Sequence, residues 1–423
     1  MQSVMRHIKQ NKMNISLLND VLAKNLGKIE RYFQRTKKRI IDDFLRIVSK
    51  KYQYIVFDEY IKAHPNDASC TYSQAEENVY SNRRYQDTLT PDVILKDQIR
   101  RTEIRKISFA RCFVFSDLIE LPTGEITYRL KEDNIALSVA DFKDEILLTD
   151  KKKWCKLRPV KDTIHIKKAI KIGGMFGFNY YHFMIQLLPK MEFLKHIPKD
   201  IPLLLDYSAR DVDSMREAVS VANMEQRQII YMEYGYGYKV DELYDIALSN
   251  FIIPNVKKGI LYIDVWASFS VSSIMYLRNL LLKHKDAKLT PQKIFIARRQ
   301  ASSRRKYNEV ECGEMLKSYG FVEVYPETMT IYEQVALFNN AKFIVSASGA
   351  ALTNLLFCKP NTRVVILTNN KSNAQFFSSF GPILGLDILY LYDKYIEQKR
   401  KLNANDIHST YNIDIDELKQ IVI

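Results

Sequence analysis

Short apolar runs and helically spaced stretches take turns along the last third of the chain. KIFIARR (293–299) predicts a buried strand, VECGEMLKSYG a helix closed by Gly320, and FVEVYPE the next strand. The order then repeats, with TIYEQVALFNNA as a helix, KFIVSAS as a strand, GAALTNLLF as a helix opening on Gly349, RVVILT as a strand and LDILYLYD as another. Strands joined by such crossovers predict a doubly wound parallel sheet, whose ligands bind at the carboxyl ends of the strands. Upstream, the pattern is β-rich from residue 105 (ISFARCFVFSDLIEL, EITYRL, NIALSVADF), and strand and helix alternate from residue 165. Residues 64–92 are polar, turn-rich and without period, which predicts a linker or an irregular surface segment.

The first 51 residues carry thirteen Lys or Arg against four Asp or Glu, interleaved with Leu17, Leu18, Val21, Leu22, Leu26, Ile29, Tyr32 and Phe33 at helical spacing. A basic amphipathic helix of this kind can lie on an anionic membrane, with Arg31, Arg35, Lys37, Lys38 and Arg39 toward the headgroups. It can equally pack on the body of the protein. The expected division is a basic helical extension and linker at 1–95, a first Rossmann-like domain at 96–255 and a second at 256–423.

Length and composition fit this division, since 423 residues exceed one ordinary core, and 47% hydrophobic with 12% aromatic residues exclude global disorder. A net charge of +14 predicts an anionic partner: nucleic acid, an acidic membrane surface or a phosphorylated substrate. No apolar stretch reaches about 18 residues, and MQSVMRHIKQNKMN has no signal-peptide core, so a cytoplasmic protein is expected, at most peripheral on the inner face of the membrane. Cys70, Cys112, Cys155, Cys312 and Cys358 are scattered, with no C-x-x-C pair, and read as reduced thiols.

Candidate chemistry gathers at two strand ends. In Ser346-Ala347-Ser348-Gly349-Ala350-Ala351-Leu352-Thr353-Asn354, small residues stand where a strand turns into a helix, and the free N–H groups and dipole there suit a diphosphate. Packing alone also favours small residues at such a turn. Arg298 and Arg299 follow the strand KIFIA to the same edge, where a guanidinium can grip phosphate with two parallel hydrogen bonds; Arg304 and Arg305 lie in the loop beyond. In the N-terminal half, Gly173-Gly174-Met175-Phe176-Gly177-Phe178-Asn179-Tyr180-Tyr181-His182 leads into FMIQLLPKMEFL, which reads as an amphipathic helix carrying Pro189. A histidine there can take a proton from a substrate hydroxyl, helped by a helix N-terminus that keeps it neutral, or it can be structural. Asp211-Val-Asp213 and Asp414-Ile-Asp416 fit the loose D-x-D metal pattern, but Asp211 opens a helix, where acids serve as caps, and no metal is expected.

NYYHFMIQLLPKM, FIARR, RRKYNEVE, YEQVALFNNAKFIVSASGAALTNLLFCKP and VVIL, in that order over roughly 165–400, resemble family 61 of the glycosyltransferases. This group includes bacterial capsular polysaccharide enzymes and eukaryotic enzymes transferring xylose or N-acetylglucosamine. The resemblance implies an α/β fold of GT-B type, two Rossmann-like domains facing a central cleft, with inversion at the anomeric carbon and no required metal or other cofactor. It implies a nucleotide-sugar donor (UDP-, CMP- or GDP-linked) and a glycan or lipid-linked glycan acceptor, in capsular or other surface polysaccharide synthesis. It places Arg298, Asn308, Glu309, Glu333, Gln334, Gly349, Ala350, Leu352, Thr353 and Asn354 on donor-site motifs, with Glu333 beside the ribose or base, and Asn179, Tyr180, Tyr181 and His182 on the N-terminal motif. Gly174 and Gln186 fall at the same acceptor side. Two positions depart from the family pattern: Gln186 stands where an acid is common, and Ser348 replaces the histidine of His-Gly-Ala. The departures leave an inactive scaffold as an alternative; a nucleic-acid-binding protein would explain the charge but not the ordered motifs, so no nucleic-acid partner is expected.

Overall fold

The computed structural model describes residues 36–81, 94–128, 146–149, 153–252, 267–286, 290–298, 306–369, 375–393 and 410–423. The expected basic helix through Leu17–Phe33 therefore lies outside the described residues, as do Arg299, Arg304 and Arg305. The chain is mixed α/β with two main sheets.

The first sheet uses β1 (Ala68–Tyr80), β2 (Leu95–Cys112), β3 (Asp162–Lys171), β4 (Leu203–Asp206), β5 (Ile229–Met232) and β6 (Tyr236–Ile246). Its order is β5-β4-β3-β6-β2, with β1 and the short pair Ile119–Glu120 and Ile126–Thr127 beyond β2. β5, β4, β3 and β6 run parallel, whereas β6 meets β2 antiparallel, so this half is only in part the parallel sheet expected. β4, the run LLLD, is buried at every residue, as a strand covered on both faces must be.

Over residues 68–80, β1 corrects the expectation of a linker or an irregular surface segment at 64–92; residues 82–92 lie outside the described residues. Residues 68–80 pair antiparallel with 95–107, with irregularities at Cys70/Tyr72 and Glu77/Val79. Most of this strand is solvent-exposed, so its sequence has no apolar alternation to announce it. Its far end anchors other parts of the chain: Asn78 donates to the Ser249 carbonyl at 2.9 Å, and Ser270 and Ser272 hydroxyls each donate to Glu76 at 2.6 Å.

The second sheet is fully parallel: β7 (Lys293–Ile296), β8 (Val322–Val324), β9 (Phe343–Ala347), β10 (Arg363–Thr368) and β11 (Asp387–Tyr392), in the order β8-β7-β9-β10-β11. The chain leaves β7 toward one edge and returns to its other side at β9, which is the switch point where such sheets open a crevice at their carboxyl ends. Crossovers are supplied by α3 (Glu309–Ser318) and α4 (Ile331–Asn340); before them come α1 (Asp213–Ala222) and α2 (Val271–Leu282), and α5 (Ile415–Val422) closes the chain. One core unites the halves, joining Ile170, Leu203 and Met215 with Ile274, Leu337 and Leu355. No helix among the described residues is long and apolar enough to cross a membrane.

Candidate active site

Register brings the donor-side candidates together. Ile296 of β7 is the Cα partner of Ser346 of β9, so Arg298 and Ser348, each two residues on, emerge side by side. Arg298 Nη1 lies 3.5 Å from the Ser348 carbonyl oxygen, which accepts from it. Glu309, at the start of α3, accepts the Arg298 backbone N–H and ties the loop to that helix. Ser348 N–H is held by the Leu367 carbonyl at 2.8 Å, so the turn hangs from β10 as well.

Beyond Gly349 the chain forms a 3-10 helix, Ala350–Phe357, rather than the α-helix expected. Thr353 Oγ1 donates back to the Ala350 carbonyl at 2.6 Å, which suits this tighter winding, and Leu352 and Asn354 are fully buried. Gly349 itself has extended backbone (φ −179°), and an added Cβ would meet only Ala347 O and Arg298 Cζ, both at 3.8 Å. The fold does not demand glycine here. Gly349→Ala is therefore expected to change unfolding free energy by less than about 0.5 kcal/mol in urea titration while weakening nucleotide diphosphate binding; equal affinity in calorimetry would detach this turn from the ligand.

Several residues assigned by resemblance to the donor site are occupied by internal partners. Glu333 caps α4 reciprocally, accepting from Thr330 N–H at 2.9 Å while Thr330 Oγ1 accepts from Glu333 N–H at 3.2 Å. Asn308 exchanges hydrogen bonds with the backbone of Ile413, pinning α3 to the C-terminal segment. Gln334 is buried; it donates to the Met329 carbonyl at 3.0 Å and accepts from Asn354 Nδ2 at 2.7 Å. Asn354 Oδ1 in turn accepts from Tyr180 Oη at 2.8 Å. This relay joins the 3-10 helix that opens after Gly349 to the turn that carries His182.

The N-terminal loop is shaped by two acids with no sequence motif of their own. Asp206, at the end of β4, accepts from Phe115 N–H at 2.7 Å and Gly174 N–H at 2.9 Å, and Asp117 accepts from Met175 N–H at 3.2 Å. A Cβ on Gly174 would stand 2.5 Å from Asp117 Oδ1, and one on Gly177 would stand 2.5 Å from Asp206 Oδ2, so glycine is required at both. Burial pushes the Asp206 carboxyl up to about 6, against its two backbone hydrogen bonds and the pull of Lys171 and Lys190. Lys171 is fully buried beside Asp245, its Cα partner on β6, and donates to the Ser116 carbonyl at 2.8 Å.

Asn179 caps the turn Tyr180–His182, its Oδ1 accepting from Tyr181 N–H at 3.0 Å. The helix expected next is neither regular nor amphipathic: Phe183–Leu187 is a π-turn, and Leu188–His196 is 3-10 with Pro189 near its start. Proline lacks the N–H that an α-ladder needs, and the segment is buried on nearly every side, so no polar face develops. His182 is half-buried, with Phe176 at a ring distance of 4.9 Å and Tyr181 at 5.5 Å. Phe176 holds a left-handed φ of 61°, a strained conformation for a bulky residue at the edge of the site. Burial lowers the His182 pKa, opposed by its contact with Gln186 and by Asp117. Desolvation is thus the first cause that favours the neutral imidazole, where the sequence pointed to a helix terminus.

Neither D-x-D pair gathers ligands. Asp211 pairs with Arg210 at 2.7 Å, Asp213 pairs with Arg216, and Asp414 caps α5, accepting from Asp416 and Glu417 N–H groups. Among the described residues no group of three or more His, Cys, Asp or Glu could hold a metal ion.

No curated protein matches the chain. The Glycosyltransferase 61 family model matches residues 180–365, from Tyr180 of the His182 turn through Arg298, Ser348 and Gly349 to Val365 of β10, and over that span the chain is similar to family 61 of the glycosyltransferases.

Proposed function

We propose that the protein is an inverting transferase that moves a sugar from a nucleotide-sugar donor to a glycan or lipid-linked glycan hydroxyl, with the two halves working in the GT-B manner. The observation that supports this reading is the meeting of Arg298 with Ser348 and Gly349 at the β7/β9 switch point, joined through Asn354 and Tyr180 to the His182 turn. In the reaction, His182 takes the acceptor hydroxyl's proton, the oxygen attacks the anomeric carbon, and the nucleotide diphosphate departs. Negative charge grows on the leaving phosphate, where fixed donors lower the barrier; one such donor contributes about 3–4 kcal/mol. Arg298 and the N–H groups opening Ala350–Phe357 fill that role, with no metal required, so activity is expected to survive excess EDTA. A thermal-shift screen against nucleoside diphosphates and nucleotide sugars tests the reading, since a ligand at 100 times its dissociation constant adds about 2.7 kcal/mol of stability. No shift with any nucleotide would remove it.

We also propose that the protein sits peripherally on anionic membrane. Residues 36–48 form a helix, and Asp42 and Arg46 dock it on the body through Arg158 at 2.8 Å and the Leu147 carbonyl at 3.1 Å. The opposite side exposes Ile40, Ile41, Phe44, Ile47 and Val48 together, in a segment rich in Lys and Arg. An apolar strip with basic flanks suits the headgroup boundary. Phe44→Asp with Ile47→Asp is expected to abolish co-sedimentation with vesicles containing phosphatidylserine while sparing nucleotide binding; undiminished co-sedimentation would contradict it.

A further inference from the structure

Hydrogen bonds between His182 and the start of α2 fix the direction of two side-chain amides, Gln186 and Asn250. A backbone carbonyl only accepts and a backbone N–H only donates, so each assigns the amide atom that faces it. Ser270 N–H donates to Asn250 Oδ1 at 2.9 Å, and Asn250 Nδ2 donates to the Ile185 carbonyl at 2.6 Å and to Ser273 Oγ at 3.2 Å. The Asn250 carbonyl accepts from Gln186 Nε2 at 3.4 Å. Gln186 therefore turns its oxygen the other way, and Oε1 lies 2.6 Å from His182 Nδ1. An amide oxygen cannot donate, so the hydrogen of that contact belongs to Nδ1.

We propose that Gln186, oriented by Asn250, is a positioning residue that holds His182 as the Nδ1–H tautomer and leaves the lone pair on Nε2 as the proton acceptor. This rests on reading His182 as the base. Nδ1–H stays in its contact with Gln186 throughout, the acceptor's proton arrives on Nε2, and Gln186 exchanges none. A carboxylate at the same position would orient the ring equally well but would also stabilise the charged imidazolium. The amide supplies orientation without that charge, which leaves burial free to keep the base neutral. Asp117 is the acid whose charge reaches the imidazole in this arrangement.

The test is long-range proton–nitrogen NMR on the full chain labelled with 15N-histidine, the His182 signals being identified by their loss in His182→Ala. At pH 8 the expected result is Nδ1 in the protonated range and Nε2 in the unprotonated range. Gln186→Glu is expected to keep that tautomer and raise the His182 titration midpoint by about one unit or more, while a folded Gln186→Leu gives mixed tautomers and lower turnover. A wild-type Nε2–H tautomer, or a Gln186→Glu midpoint equal to wild type, would overturn the proposal; both readouts stand even if Gln186→Leu fails to fold. The expected tautomer together with undiminished turnover in His182→Ala would support the Gln186 assignment and remove the base role, so the two failures are read apart.

Discussion

Replacing His182 with alanine is expected to lower turnover by about 100- to 10,000-fold, the range typical of lost general-base catalysis, with donor affinity nearly unchanged. The imidazole lies in the turn joined to the 3-10 helix Ala350–Phe357 by Tyr180 and Asn354, and among the described residues no hydrogen bond takes its Nε2. Because burial lowers its pKa, the neutral, active form persists to lower pH than an ordinary histidine would allow. The acid limb of the pH–rate profile should therefore fall below the usual imidazole value of about 6.5. Donor turnover measured from pH 5 to 8 on both proteins decides the matter. Turnover within about threefold of wild type would end the base assignment, and Asp117, the acid nearest in effect, would be the next candidate.

Arg227→Ala is expected to be the most destabilising single truncation in the N-terminal half, at about 3–5 kcal/mol, the loss seen when a buried ion pair is broken from one side. Its side chain is fully buried and donates to four backbone carbonyls: Pro198 at 2.5 Å, Ile201 at 3.2 Å, Leu194 at 3.0 Å and Ile197 at 2.8 Å. It also pairs with Glu225 at 2.6 Å. These carbonyls end the irregular helix Leu188–His196 and begin the approach to β4, so one guanidinium satisfies the orphan acceptors of a helix terminus. Arg227→Lys should recover only a minor part, since a single ammonium cannot span all four acceptors. Urea unfolding checks this through a lower midpoint at unchanged slope. A loss under about 1 kcal/mol would show that water replaces the guanidinium at little cost.

The second sheet was readable from the chain because its strands, apart from the edge strand β8, are largely buried and the helices between them carry their own boundary signals. Even the approach of Arg298 to Ser348 follows from parallel register once the strands are placed. β1 was hidden for the opposite reason, its mostly exposed residues being largely polar and without apolar alternation. At the site, local grammar was the better guide for Glu333: Thr-Ile-Tyr-Glu is the spacing of a capping box, and the carboxylate is used in that way. Asp117 and Asp206 left no local sign, since their role is set by glycines about sixty and thirty residues away in the chain. A glycine-rich loop signals that something approaches closely, and only the folded chain shows that two carboxylates, the buried Asp206 and the partly buried Asp117, do so.

The central claim is that Arg298 and the turn at Ser348 and Gly349 receive the donor's diphosphate. Arg298 is only partly buried and its guanidinium contacts the Ser348 carbonyl at 3.5 Å, so its removal is expected to leave the fold intact. Calorimetric titration of UDP, GDP and CMP into wild type and Arg298→Ala measures the claim directly. The expected result is saturable binding of one nucleotide to wild type and a loss of about ten- to a hundredfold in the variant, the worth of one charge-assisted contact. Equal affinity in a variant with wild-type unfolding would contradict it and move the donor site away from the β7/β9 switch point.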